Sequence, residues 1–155
     1  MELAIRSATP SDVPALVDSM SAFYAEAGFP LRAAPAARAF ETLLADRRLG
    51  GAWLAEVDGV AVGHVVLTLC FSMEYGGLRG FIDDLYVQRT ARGQGVAAAL
   101  LDAVRGAALE RDARALHVEV GPENAAARRL YARAGYVESG HLFLSLPLAA
   151  PLHES

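Results

Sequence analysis

The stretch that most constrains this chain is Phe81–Ala97, FIDDLYVQRTARGQGVA. An apolar run ends at Val87, the five residues Gln88–Arg92 form a loop, and Gly93-Gln94-Gly95 opens the next segment. There Val96, Ala97, Leu100, Leu101, Val104 and Ala108 recur at helical spacing, which predicts a helix over Gly95–Arg111. A strand therefore feeds a helix whose first turn is built on glycines. Such a start leaves backbone N–H groups unpaired, unscreened by Cβ atoms and at the positive end of the helix dipole. Arg92 adds a full charge at the mouth. A pyrophosphate is the ligand this turn suits best. A bare glycine turn needs no ligand, but a strand behind it and an apolar helical face ahead of it favour one.

Two nucleotide folds compete for the same residues. Gly93-x-Gly95-x-x-Ala98 fits the dinucleotide fingerprint, and Glu119 lies where a ribose-binding acid would be. NAD is nevertheless disfavoured. Five residues separate strand from glycine where that fold needs a short turn, and only 35 residues follow Val120, too few for repeated β-α-β units. A P-loop is excluded because no Gly-Lys-Ser/Thr follows.

The rest of the chain supplies the frame. Glu2–Arg6 alternates as a first strand; Ser11 reads as the N-cap of a helix running to about Ala27 and stopping at Gly28. Arg32–Arg38 reads as a loop into a second helix over Ala36–Asp46. Ala52–Val57 and Val60–Ser72 are strands joined by an Asp58-Gly59 hairpin turn, Gly76-Gly77 makes another turn, and Arg79–Val87 is a fourth strand. After the glycine-opened helix come a strand (Ala115–Val120), a helix (Asn124–Ala134), and strands Tyr136–Ser139 and His141–Leu148 about a Ser139-Gly140 turn. The order β-α-α-β-β-β-α-β-α-β-β predicts an α/β (α+β) fold: one mixed, mostly antiparallel sheet flanked by helices. Residues 1–150 form one domain and 151–155 a short tail.

Composition narrows the partners. The net charge is −4 and no separate Lys/Arg cluster exists, so nucleic acid is not expected. No run approaches the roughly 20 apolar residues of a membrane span. The single cysteine, Cys70, allows no internal disulfide and is expected to fill space in its apolar strand; a cytoplasmic protein fits. His64, His117, His141 and His153 show no metal-ligand spacing, so no metal is expected.

Two segments together carry a family resemblance. Arg92-Gly93-Gln94-Gly95-Val96-Ala97 matches the Q/R-x-x-G-x-G/A signature of the GNAT superfamily of N-acetyltransferases, and Asp84-Leu85-Tyr86-Val87 resembles its fourth strand. About 30 residues on, Asn124-Ala125-Ala126-Ala127-Arg128-Arg129-Leu130-Tyr131 followed by Ala132-Arg133-Ala134-Gly135-Tyr136 resembles its second motif, N-x-x-A-x-x-L-Y-x-x-x-G-F/Y. The element order agrees over nearly the whole chain.

The resemblance implies acetyl-coenzyme A as cofactor and acetyl transfer to an amine attacking directly within a ternary complex. It places the pyrophosphate on Arg92, Gly93, Gln94, Gly95, Val96 and Ala97, and the pantetheine arm along the backbone of Leu85, Tyr86 and Val87. A bulge in that strand would open a gap for the thioester, with an N–H near Val87 polarising the acyl carbonyl. Asn124 and Tyr131, seven residues apart, share a helix face with Ala127 between them. By resemblance Asn124 and Ala127 border the cofactor and Tyr131 protonates the departing thiolate; on residue type alone Asn124 is equally an N-cap and Tyr131 more often core.

An alkylammonium must lose a proton before it attacks, so a base is required. Glu119 and Asp84 are the candidates. Asp83 and Asp84 point to opposite faces of an ideal strand, and Asp84 shares its face with Tyr86. Each carboxylate also has a plain structural reading: Asp84 held by backbone donors, Glu119 a solvated strand end. His117 shares the Glu119 face. The first helix, the following loop and the hairpin near Ser72–Gly77 would line the acceptor side through Tyr24, Glu26, Phe29, Phe71, Glu74 and Tyr75, aromatics and acids that suit a cationic amine of a small molecule or protein. A catalytically silent cofactor-binding module is the alternative, and strands of the last hairpin could pair two subunits into a homodimer.

Overall fold

The computed structural model describes Met1–Glu154. Along it run β1 (Leu3–Ser7), α1 (Val13–Glu26), α2 (Ala33–Ala45), β2 (Gly50–Val57), β3 (Val60–Ser72), β4 (Gly77–Val87), α3 (Val96–Glu110), β5 (Leu116–Val118) and α4 (Ala125–Arg133). The strands form one sheet in sequential order from β1 to β5, antiparallel except for the parallel β4–β5 pair.

The continuous apolar character of β2 and β3 has a simple cause: both strands are covered on both faces. Alternate side chains enter different cores. Trp53, Ala55, Val65 and Leu67 point to a cluster with Leu100, Leu101 and Val104 of α3. Ala52, Leu54 and Val66 point the other way, to Val13, Leu16 and Met20 of α1 and Ala36 and Phe40 of α2. Leu16, Leu54, Leu67 and Leu100 are almost wholly excluded from solvent, so each contributes on the order of 2 kcal/mol of burial.

Most boundaries agree with the sequence to within two or three residues. Asp58 and Gly59 both take positive φ (50° and 81°), as a tight twisted hairpin turn demands. Ser11 is not the cap of α1. It sits in a 3-10 turn (Pro10–Asp12) entered at Thr9, whose N–H donates to Asp12 Oδ2 at 2.8 Å. α2 starts at Ala33, so most of the Arg32–Arg38 stretch is helix; its alanines favour that state and Pro35 is tolerated in the first turn. Cys70 is exposed near the far end of β3, where the strand runs beyond the covering helices, and fills no core space.

The fold class stands as read, but the last two strands do not form in the single chain. Gly140 keeps its turn conformation (φ 80°), yet 137–148 makes no ladder. Alternation reports a capacity to pair and not the presence of a partner. The tail is no appendage either. Leu152 packs against the α1–α2 core, its carbonyl accepts from the Arg32 N–H at 2.8 Å, and the Glu154 N–H donates to Pro30 O at 2.8 Å.

Candidate active site

β4 pairs with β3 along its whole length, from Gly77 to Val87, but with β5 only at Gly80–Ile82. Past Ile82 the two parallel strands part. The register shifts there: Leu67 faces Ile82 and Val66 faces Asp84, leaving Asp83 as the extra residue of a bulge. The Gln88 N–H donates to Val62 O of β3 at 2.8 Å. Alternate N–H groups of a strand share a side, so those of Tyr86 and Asp84 also turn to β3 and those of Val87 and Leu85 turn into the gap. The side chains of Leu85 and Val87 pack toward α3, while Tyr86 lies under α1 with its ring 5.7 Å from that of Phe23.

At the end of this open edge stands the α3 N-terminus. Gly93 and Gly95 take φ of 76° and 81°, a conformation side chains resist, and a Cβ built on either meets no atom within 4 Å. The first main-chain bond of the helix is Ala99 N–H to Gly95 O at 3.1 Å, so the N–H groups just ahead of it face open space. Arg92 closes the corner: its Nε donates to Val87 O at 2.8 Å and its guanidinium lies 5.6 Å from the Tyr86 ring centroid. A free strand edge and an open, positively polarised cradle fit a pantetheine arm ending in a pyrophosphate.

The bulge also sorts the carboxylates. Asp84 is buried on the α1 face, its strand partner being Val66 of the α1–α2 core. What faces it is the fully buried His64, whose Nε2 is 3.6 Å from Asp84 Oδ2 and whose Nδ1 is hydrogen-bonded to Ser19 Oγ of α1. Asp83 is open to solvent by area yet crowded: partial burial first, then the charges of Asp84 and Glu119, hold its carboxyl above the usual range, against a lowering contact from Thr68. Glu119, exposed just past the end of β5, is thus electrically coupled to the β4 bulge.

Tyr131 is buried in the α3-side core together with Val87, Ala91 and Val96, which places α4 against the gap and the glycine turn. Burial and the neighbouring Tyr136 phenol push its pKa up to about 12. Asn124 is the N-cap of α4, its Oδ1 accepting from the Ala127 N–H at 3.1 Å. The capping reading is therefore satisfied at Asn124, and Ala127 supplies the N–H.

The residues expected to line the acceptor side are divided. Tyr24 is half-buried, its phenol pushed up by burial and by Asp84 and Asp83. Phe29 lies against His153 of the tail, the ring centroids 4.9 Å apart and the planes tilted by 46°. Glu26 points at the loop that precedes α3, accepting from Arg89 Nε at 2.7 Å and Arg92 Nη2 at 2.6 Å, so its charge is spent on arginines. Phe71, Glu74 and Tyr75 sit at the other end of β4, roughly 23 Å from Asp84 at about 3.3 Å per residue. There Tyr75 lies against His117 and its carbonyl accepts from Arg114, so the His117 ring is engaged with the hairpin. Burial and then Arg79 hold the His117 imidazole below its usual pKa.

Sequence reasoning passed over Ser19, His64 and the tail. The signal for His64 was its place in β3, where Val66 two residues on shares its inward face. Among the described residues no group of three or more His, Cys, Asp or Glu could hold a metal ion, and no helix is long and apolar enough to cross a membrane.

Comparison with known proteins agrees with this geometry. An integron cassette protein from the mobile metagenome of Cole Harbour Salt Marsh is 47% identical, with TM-score 0.88 over 96% of this chain and 92% of that one. A predicted acetyltransferase from Clostridium acetobutylicum, solved with acetyl-CoA, shares 22% identity at TM-score 0.81 over 95% of this chain and 97% of its own, a likeness of fold. An uncharacterized N-acetyltransferase of Archaeoglobus fulgidus is 39% identical over 90 residues, 57% of this chain and 61% of that relative. The model of the acetyltransferase (GNAT) family matches residues 16–136, a span that holds both motifs, the splayed strands and Tyr131, and the chain belongs to that family.

Proposed function

We propose that the protein is an acetyl-coenzyme A-dependent N-acetyltransferase acting on a primary amine of a small molecule or protein. The observation that carries this reading is the open edge of β4 leading into the glycine cradle of α3. When bound, acetyl-CoA supplies an activated acyl carbon in the gap between β4 and β5. On this reading Leu85 and Val87 offer main-chain groups to the pantetheine amides, and the Val87 N–H donates to the acyl oxygen. The N–H groups of Gly93–Ala97 and Arg92 hold the pyrophosphate. The amine enters from the α1 side past Tyr24. Asp84 takes its proton, with Glu119 and Asp83 keeping the approach negative. Tyr131, protonated at any physiological pH, donates to the departing thiolate.

Calorimetric titration with acetyl-CoA, CoA and NAD, repeated on Gly95→Trp, tests it. Saturable binding of the CoA species that the tryptophan abolishes is the expected result, followed by thiol release in an amine screen. Binding of NAD alone would overturn the reading. Cofactor binding with no turnover on any amine class would leave a silent binding module.

A further inference from the structure

Two buried polar side chains face each other on the α1 side of the sheet. His64 is wholly excluded from solvent, and Asp84 is the one carboxylate among the described residues that is buried as a whole residue. Their meeting follows from the β3–β4 register. His64 is paired with Tyr86 and Val66 with Asp84, so His64 and Asp84 are diagonal neighbours on one face of an antiparallel pair.

The imidazole is held at one nitrogen only. Its Nδ1 is hydrogen-bonded to Ser19 Oγ of α1 at 2.5 Å. Its Nε2 has no hydrogen-bond partner and lies 3.6 Å from Asp84 Oδ2. An unpaired buried nitrogen is costly, and a side chain that served packing alone would carry none. Reaching an ordinary N–H···O distance takes a shortening of about 0.7 Å, within the swing of the Asp84 side chain.

Donors and acceptors leave one consistent assignment. An ionised carboxylate only accepts, so attraction requires the ring proton on Nε2. A serine hydroxyl can donate, so Nδ1 stays bare as its acceptor and the ring stays neutral. Ser19 thereby fixes the tautomer from the far side of the ring.

The neighbours leave this contact undisturbed. Opposite His64 on β2 stands Leu54, and α2 turns Ala36 and Phe40 inward while its Arg38 and Glu41 are exposed. Tyr86 of β4 has its ring centroid 6.5 Å from that of His64, with Arg92 over the same tyrosine and Glu26 as the counter-ion of that arginine. Asp83 adjoins Asp84 along β4. Burial first, then the charges of Asp84 and Asp83, raise the Tyr24 phenol of α1, so Asp84 is felt on the side where the proposed function brings in the amine.

We propose, on the footing of that function, that His64 is a positioning residue for the base: set by Ser19, it presents Nε2–H to Asp84 Oδ2, keeps the carboxylate ionised and leaves Oδ1 for the amine. When the ammonium N–H bond breaks, its proton passes to Asp84 Oδ1 and the electron pair stays on nitrogen to attack the acyl carbon. His64 keeps its own proton throughout.

Nitrogen-15 NMR of the His64 ring in the cofactor-free protein tests the geometry apart from any activity. A protonated Nε2 and a bare Nδ1 are expected near neutral pH; a proton on Nδ1, alone or as well, overturns the proposal. Kinetics with acetyl-CoA and the best primary amine of the thiol-release screen test the role. His64→Leu should lower kcat/KM about tenfold near neutrality and move the acidic limb of its pH profile up by about one unit, since a lost donor disfavours the charged carboxylate. His64→Gln, whose amide N–H reaches the Nε2 position, should restore most of both. Ser19→Ala, which suits a helix at least as well, should lose part of the rate with the fold retained. CoA affinity should be unchanged in all three. Equal losses in the leucine and glutamine variants, or a lower rate with the acidic limb unmoved, would make His64 a packing residue and overturn the proposal. A parent protein that binds CoA but acetylates no amine sinks the proposed function and the proton-transfer role of the pair with it, whichever tautomer the ring holds.

Discussion

Glu26, the last residue of α1, accepts a 2.6 Å bond from Arg92, the residue that introduces the glycine turn of α3. The end of α1 is thereby tied to the glycine turn of α3, where the proposed function seats the pyrophosphate. On that proposal a bound pyrophosphate shares or takes over that guanidinium. Glu26→Gln is expected to tighten CoA binding about twofold to fivefold, since a part-exposed ion pair is worth about 0.2–1 kcal/mol. Calorimetry at low ionic strength measures it. Weaker binding in the variant would show that Glu26 aims Arg92 and does not compete for it.

A second acid pair fixes the entry to α1. Arg6 donates to both oxygens of Asp12, each at 2.8 Å, and the Thr9 N–H donates to the same carboxylate. The Arg6 bond first, and Thr9 after it, hold the Asp12 carboxyl well below the usual range. A carboxyl with a lowered folded-state pKa contributes stability above its unfolded value, about 3.9, and loses it as pH falls further. Arg6 is 45% exposed, so screening keeps the gain small. Asp12→Ala should cost about 1 kcal/mol near neutrality, a fall in Tm of about 2–4 °C. The gap between the melting curves of the two proteins should close as pH drops below about 4.

These pairs mark where the sequence was silent. Strands buried on both faces, as β2 and β3 are, announce themselves by unbroken apolar runs, and Asp58-Gly59 or Gly93-x-Gly95 by the backbone angles only such residues adopt readily. The bulge at Asp83 has no such mark. Strict alternation places Ile82 and Asp84 on one face, whereas the structure sends Ile82 to the α3 core and Asp84 to the α1 side. Glu26 looked free for a cationic ligand because its partners, Arg89 and Arg92, lie more than sixty residues away. The strands expected at Tyr136–Ser139 and His141–Leu148 are not present, because alternation is legible locally and a partner edge is not.

Tyr131 allows a sharper test. Its pKa of about 12 keeps the phenol protonated through the working range, and the raised folded-state value sets the sign of its linkage. The unfolded chain releases this proton near pH 10, so its contribution is full below about 10 and lost as pH climbs toward the folded value. Tyr131→Phe removes the donor and little volume. A loss of about 100-fold or more in kcat, with unchanged CoA affinity, is expected for a general acid. An equal loss in CoA affinity would make Tyr131 a packing residue instead. The variant should also lack the stability loss that begins above about pH 10.

The base is decided by comparing two carboxylates on opposite sides of the β4 bulge. Asp84 lies buried beneath α1 beside His64, whereas Glu119 is exposed past the end of β5 and acts on Asp83 through space. If Asp84 accepts the ammonium proton, Asp84→Asn should lower kcat/KM about 100-fold near neutrality. It should also leave activity rising with pH as the amine deprotonates by itself, toward a pKa of about 10 for a lysine-like substrate. Glu119→Gln should retain most activity. Its measurable effect should fall on Asp83, whose carboxyl moves back toward the ordinary range when one of the two charges raising it is removed. Carboxyl NMR titration of the Asp83 signal reads that shift directly, and pH–rate profiles of the two variants read the assignment. The opposite pattern, with Glu119→Gln inactive and Asp84→Asn active, would move the base to the gap side of the sheet and leave Asp84 and His64 as a buried structural pair.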